Sequence, residues 1–376
     1  MSYPKTATRR SRTFRVLLVL GCAIALGAAA AAGGAGKPGA RITVVPFQVS
    51  PGRAADASID VTVSPRSAAP SRLAIYLPQG WGLSTSAAVG STVGFVDLFV
   101  LDDASPLGPT GLFSRLTVAD PALGTDATAQ ACSAGPHAAV WTGAFTLGGQ
   151  PFTLRFYVDP TSGSDASLGA YRLITCLPSP YLPAEQGGAP SGMQVVELSL
   201  LAALTNPAAA GTYTWRVLVT PYVYGSATPD EANAFEARTH VLFPYVLTLR
   251  AGYQARTQAL VVSGGVSALG KPQAGVKLTL FADWLDGPRD ALTFAELGKP
   301  TTRSDGTFLV REPRKRILRP NEEAKLDITA FVEPVPGPCS GPAVVPGGCI
   351  DDSLSPPTTP LLGAKITVPS LAKKRT

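Results

Sequence analysis

The chain has 376 residues, with 32 Lys and Arg against 26 Asp and Glu, two His and a formal charge of +6. Five of the cations, Lys5, Arg9, Arg10, Arg12 and Arg15, stand at the amino end, so the rest of the chain holds 27 basic against 26 acidic groups. A body so near neutrality carries no electrostatic footprint for nucleic acid, and two histidines leave little room for general-base or metal chemistry.

The basic amino end runs into an uncharged stretch from Val16 to Gly36, rich in Leu, Val and Ile up to Leu26 and then in Ala and Gly. Residues 1–36 read as an export signal, with cleavage expected near Ala32 to Gly36, where small residues have the spacing a signal peptidase needs. An uncleaved membrane anchor is the rival reading, because the stretch approaches the roughly 17 to 25 residues that span a bilayer. The apolar run before Cys22 is too short for a lipobox, and Phe14 lies too far from Arg9 and Arg10 for a twin-arginine signal. The chain is therefore expected outside the cell or on its surface, touching membrane only through this segment. Cytoplasmic nucleotides and thiol buffers are absent there, and no cofactor is expected.

Beyond the leader, period-two alternation recurs. Ile59, Val61 and Val63 alternate with Asp60 and Thr62; Phe152, Leu154, Phe156 and Val158 with Thr153, Arg155 and Tyr157; Tyr213, Trp215, Val217 and Val219 with Thr214, Arg216 and Thr220; Val276, Leu278 and Leu280 with Lys277 and Thr279. Each pattern is that of a strand with one buried face. The 38 glycines and 35 prolines punctuate short strands rather than a helix bundle. Short helical turns are expected only near Pro229 to Phe235 and Asp290 to Leu297. The fold class is all-β: two antiparallel β-sandwich domains in tandem, with length enough for a third, over 37–249 and 250–376. The stretch between Cys339 and Cys349 and the Pro-rich Ser353 to Pro360 read as an excursion before a last strand, Ala364 to Val368.

Within 250–376, the run Val262 to Phe281 with Gly265, Gly270, Pro272, Gly275, Val276 and Leu280, followed by Thr302, Asp305, Gly306 and Phe308, resembles carboxypeptidase-regulatory-like and related transthyretin-like, Ig-like modules. The resemblance covers about a quarter of the chain. It implies a seven-stranded sandwich serving as an accessory, structural or surface unit, and no zinc-binding catalytic partner domain is matched. The region 37–249 resembles secreted bacterial proteins without an assigned role.

Once Cys22 leaves with the signal, four cysteines remain and allow three pairings. Cys132 with Cys176 and Cys339 with Cys349 is the expected set, because the last two bracket a Pro/Gly-rich loop. Cys132 and His137 lie close together, but no second Cys/His pair completes a tetrahedral zinc site. The acidic pairs Asp102-Asp103 and Asp351-Asp352 and the loop Asp159 to Asp165 lack EF-hand spacing. The cationic run Arg311 to Arg319 is interrupted by Glu312 and reads as a solvated strand and turn.

No nucleophile elbow, HExxH run or phosphate loop occurs. His240 reads as a structural strand residue and His137 as a loop residue beside the disulfide. Trp81, between Gly80 and Gly82, and Trp284, between Asp283 and Asp286, are the glycan-stacking candidates, against the plainer reading that each plugs the end of a sandwich. Trp141 and Trp215 are assigned to the core. These features point to a non-enzymatic structural or interaction module whose partner is a protein or polysaccharide of the cell envelope. Carbohydrate binding through the two tryptophans is the alternative. A hydrolase would need His137 or His240 in a concave pocket beside a carboxylate and a nucleophile.

Overall fold

The computed structural model describes residues 39–64, 67–100, 110–147, 149–189, 192–286, 294–318, 324–332, 349–354 and 364–369. The leader, Cys339, Asp102, Asp103 and the side chains of Trp284, Cys349, Asp351 and Asp352 lie outside the described set. Among the described residues no helix is long and apolar enough to cross a membrane.

The first body contains β1 (Ala40–Pro46), β2 (Ala54–Val63), β3 (Pro70–Leu77), β4 (Gly82–Leu83), β5 (Thr92–Val100), β6 (Thr110–Val118), β7 (Ala139–Leu147), β8 (Gln150–Pro160), β9 (Tyr171–Cys176), β10 (Val195–Thr205), β11 (Gly211–Pro221) and β12 (Phe235–Phe243). Their hydrogen-bonded order is β1-β2-β10-β5-β6-β7-β8-β9-β3-β11-β12, with antiparallel pairing at each step, and β4 adds to the end of β10. At the two ends of that path β1 lies against β11 and β12, so the sheet folds over on one core. The alternation supplies that core: Ala55, Ala57, Ile59, Val61 and Val63 of β2 all face inward, as do Trp215, Val217 and Val219 of β11. Burying such a set is the main stabilising term, at about 1.5–3 kcal/mol for each large aliphatic or aromatic side chain.

Where helical turns cover the outer face, alternation ceases to mark exposure. Helix α1 (Ala127–Cys132) and the 3-10 turn Pro121–Gly124 lie over β7 to β9. Tyr76, Val140, Tyr157 and Ile174 on that outer face are buried with Ala129 and Cys132 in a second, smaller cluster. Asp126 caps α1 by accepting from Ala129 N at 2.9 Å and also accepts from Arg155 Nη1 at 2.6 Å.

The core changes at Pro244: Phe243 belongs to the first core and Tyr245 to a separate one. The second body contains β13 (Tyr245–Gln254), β14 (Ala259–Ala268), β15 (Lys271–Pro272), β16 (Leu278–Asp286), β17 (Phe294–Gly298), β18 (Thr307–Pro313), helix α2 (Arg314–Ile317), β19 (Ala324–Val332) and β21 (Ala364–Val368). One sheet places β13, β15 and β18 on β14; the other runs β17-β16-β19-β21. Leu247, Leu260, Val262 and Phe308 meet Leu280, Leu326 and Ile328 between them, which makes a β-sandwich. Asp305-Gly306 forms the expected turn into β18: Gly306 has φ +75, and an added Cβ would lie 2.6 Å from Val266 O.

Three expectations are corrected. The helical turn placed at Asp290 to Leu297 is strand β17 from Phe294 onward, because Ala295 and Leu297 alternate into the sandwich core. Arg314, within the run taken as solvated, is buried, and its Nη2 donates to Pro369 O at 3.3 Å. The excursion ahead of the last strand contains β20 (Cys349–Leu354), which pairs in parallel with β12 and thereby joins the first body's sheet.

Candidate functional site

The outer face of β8, β9, β3, β11 and β12 carries a network of buried charge. The side chain of His137, just ahead of β7, is 1% exposed and sits between Ser133 and Asp159. Its Nδ1 is 3.0 Å from Asp159 Oδ2, its Nε2 is 2.9 Å from Ser133 O, and its ring lies 4.6 Å from that of Tyr157. Both ring nitrogens are thus occupied by contacts inside the protein. Asp159 also accepts from Ala138 N at 3.2 Å and lies 3.5 Å from Arg172 Nε. Arg172 Nη1 donates to Asp165 Oδ2 at 3.0 Å, and Tyr76 OH reaches the same oxygen at 3.2 Å. Burial, then the neighbouring Asp165 carboxylate, pushes the Tyr76 phenol up to about 12.

The Cys132–Cys176 disulfide ties the end of α1 to the end of β9 beside this network. Next to it opens a cleft of about 350 Å³ lined by Arg72, Tyr76, Cys132, Arg172, Thr220 and Glu231, among others. Arg72 donates to Glu231 at 2.8 Å across its mouth. Farther along the face, Glu236 is fully buried and accepts from Arg216 Nη1 at 2.6 Å and Arg238 Nε at 2.5 Å. Burial alone would raise its carboxyl, but the hydrogen bonds from Arg238 and Arg216 outweigh burial and hold it below the usual range.

This arrangement differs from what hydrolysis would require. The dyad-like contact of His137 with Asp159 is closed off, because Nε2 is spent on a backbone carbonyl and the side chain is buried. The sulfur bordering the cleft is in the disulfide and offers no thiolate. His240 Nδ1 lies 2.8 Å from Thr214 Oγ1, its cross-strand neighbour. Among the described residues no three His, Cys, Asp or Glu side chains are placed to hold a metal ion.

Trp81 is corrected as a glycan candidate. It is 2% exposed and packs edge-on against Trp215, Phe243 and Tyr213 at 5.2, 5.8 and 5.9 Å, plugging the first core. Trp284 lies in β16 opposite Leu326 of β19, with its side chain outside the described set. Exposed aromatic surface is found elsewhere, at the β11–β12 connection. Tyr222 is buried, bridges to Pro229 and donates its hydroxyl to Leu177 O at 2.7 Å. Two residues on, Tyr224 is 89% exposed, at 6.1 Å from the half-buried Tyr181, with Val223 exposed beside it. Gly225 turns the tip with φ +74, and Val223 N donates to Thr228 O at 2.9 Å. The sequence signal was an aromatic run, Tyr222-Val223-Tyr224, ending on a glycine in a turn.

No family model and no curated protein matches the chain. Among solved structures, the D0-D1 domain of intimin aligns at 10% identity over 84% of this chain and 99% of that one, with a TM-score of 0.19. Three N-terminal domains of the bacteriophage RB49 highly immunogenic outer capsid protein align at 9% identity over the same shares, with a TM-score of 0.16. At these scores neither superposition defines a common arrangement of strands.

Proposed function

We propose that this is a non-enzymatic secreted or cell-surface interaction protein, and that the tip formed by Tyr181, Val223 and Tyr224 is its contact point. The observation that carries the reading is a nearly fully exposed tyrosine on a hairpin that Tyr222 anchors to the body. Large aromatic rings with few rotatable bonds bury much area at low entropic cost, which suits a recognition surface. The export signal expected over residues 1–36 and the Cys132–Cys176 disulfide support an extracellular setting. The Ig-like character of the second body, as an accessory or structural unit, belongs to this reading too.

Carbohydrate binding is the second reading, now resting on Tyr224 and Tyr181 rather than on Trp81. Aromatic faces stack on sugar rings, and the hydroxyls of Ser226 and Thr228 stand on the same hairpin. A glycan array probed with wild type and Tyr224→Ala separates the two. Retention by a glycan, lost in the variant, selects carbohydrate. No glycan retention, with binding to envelope protein that the variant loses, selects the first reading. Tyr224→Ala binding as well as wild type in both assays contradicts the assignment of the tip.

A further inference from the structure

On the outer face of the first sheet, away from the cleft and the tyrosine tip, three carboxylates stand in one row. Glu197 of β10 is directly opposite Asp60 of β2 on one side and Asp97 of β5 on the other. Like charges in directly opposed positions repel at the closest side-chain spacing a sheet offers. Glu197 is only 3% exposed, between the half-buried Asp60 and Asp97, so water does little to screen the middle carboxylate.

The surroundings offer little cationic relief. From β2, Thr62 Oγ1 donates to Asp60 Oδ1 at 2.9 Å and Ser58 Oγ to Glu197 Oε1 at 3.4 Å. From β1, Thr43 is opposite Asp60, and Arg41, one row along opposite Thr62, is the cation that acts on Asp60. From β6, Phe113 is opposite Asp97, and the exposed Arg115 is opposite Phe95 in the next row. Along β10 itself Val195 and Ser199 flank Glu197. Asp97 Oδ2 is buried without a hydrogen-bond partner, and Phe95 stacks on Phe113 at 5.3 Å beside it. None of the three carboxylates makes an ion pair with a described residue.

We propose that Asp60, Glu197 and Asp97 form a proton-sharing row, a pH-sensitive latch that holds β2, β10 and β5 together while protonated and loosens them when all three ionise. Burial, then the charges of Asp60 and Asp97, moves Glu197 up to about 8; burial moves Asp97 up to about 6 and raises Asp60 as well. The native state then keeps protons that the unfolded chain releases at the ordinary carboxylate values. Its stability is accordingly greatest in mild acid and falls as pH climbs through about 6 to about 8.

The test is the thermal midpoint of the full chain from about pH 5 to about pH 8, wild type against Glu197→Gln. The latch requires the wild-type midpoint to fall with rising pH and the glutamine variant to lose most of that slope, standing roughly 5 °C or more above wild type at the alkaline end. A flat or rising wild-type curve, or two parallel curves, overturns it. Should Glu197→Gln fail to fold, infrared spectroscopy of the wild type decides. A protonated carboxyl band at neutral pH supports the row, and its absence overturns it. If calcium alone abolishes the wild-type slope, the row is a cation site and proton sharing is wrong.

Discussion

Two stretches of one sheet handle buried charge in opposite ways. On the outer face of β8, β9, β3, β11 and β12, each carboxylate named meets an arginine: Asp159 meets Arg172 beside its contact with His137, Asp165 meets Arg172, and Glu236 meets Arg216 and Arg238. On the outer face of β2, β10 and β5, carboxylate faces carboxylate, with only hydroxyls and Arg41 nearby. The first arrangement gives each carboxylate a fixed side-chain partner, and removing either one strands a buried charge. The second leaves the proton as the variable partner. A single β-body thus carries a fixed framework beside a titrating one, and the framework is where the disulfide lies.

The comparison breaks most sharply at positions that hold the first region together. Trp81→Ala is expected to cost about 4 kcal/mol through the cavity it leaves among Trp215, Phe243 and Tyr213, measured by denaturant unfolding. A loss under about 1 kcal/mol would mean that the ring is not core. Cys132→Ser should cost a similar amount, up to about 4 kcal/mol by loop-closure entropy across the separation of 44 residues. Wild type in reductant should match the variant; if reduction leaves the midpoint unmoved, the bridge does not clamp α1 to β9.

Breaking one matched pair ranks next. Asp159→Asn should destabilise by about 3 kcal/mol, since it leaves the His137 and Arg172 contacts facing a neutral amide. The sign is opposite to that expected for Glu197→Gln, which should stabilise at neutral and alkaline pH. If both substitutions destabilise equally at about pH 8, the contrast between the two faces does not exist.

The strand pattern of the body was legible because Ile59, Val61 and Val63, or Trp215, Val217 and Val219, alternate against a solvated face. The pattern failed where a second layer covers that face. Tyr157 occupies an alternate position that reads as exposed, yet it is buried with Ala129 and Cys132 of α1, and Asp159, which reads as the start of a loop, is a buried residue of β8. Trp81 between two glycines resembled an exposed loop aromatic, and the sheet folding over supplied the partners that enclose it. The carboxylate row was invisible for a related reason: Asp60, Asp97 and Glu197 are far apart in the chain, and only the order β2-β10-β5 brings them abreast. The turn at Gly225 was readable, but the exposure of Tyr224 beside the buried Tyr222 is set by how the hairpin docks and leaves no mark in the sequence.

The smallest expected effect on stability carries the functional claim. Tyr224→Ala should change the unfolding free energy by less than about 0.5 kcal/mol, since the side chain is almost wholly in solvent. The most direct measurement is therefore co-sedimentation of the full chain with isolated envelopes of its own cells, wild type beside Tyr224→Ala. Wild type retained in the pellet, with the variant in the supernatant at an unchanged melting temperature, is the predicted result. Equal retention of the two proteins, or retention of neither, contradicts the assignment of the tyrosine tip as the contact point.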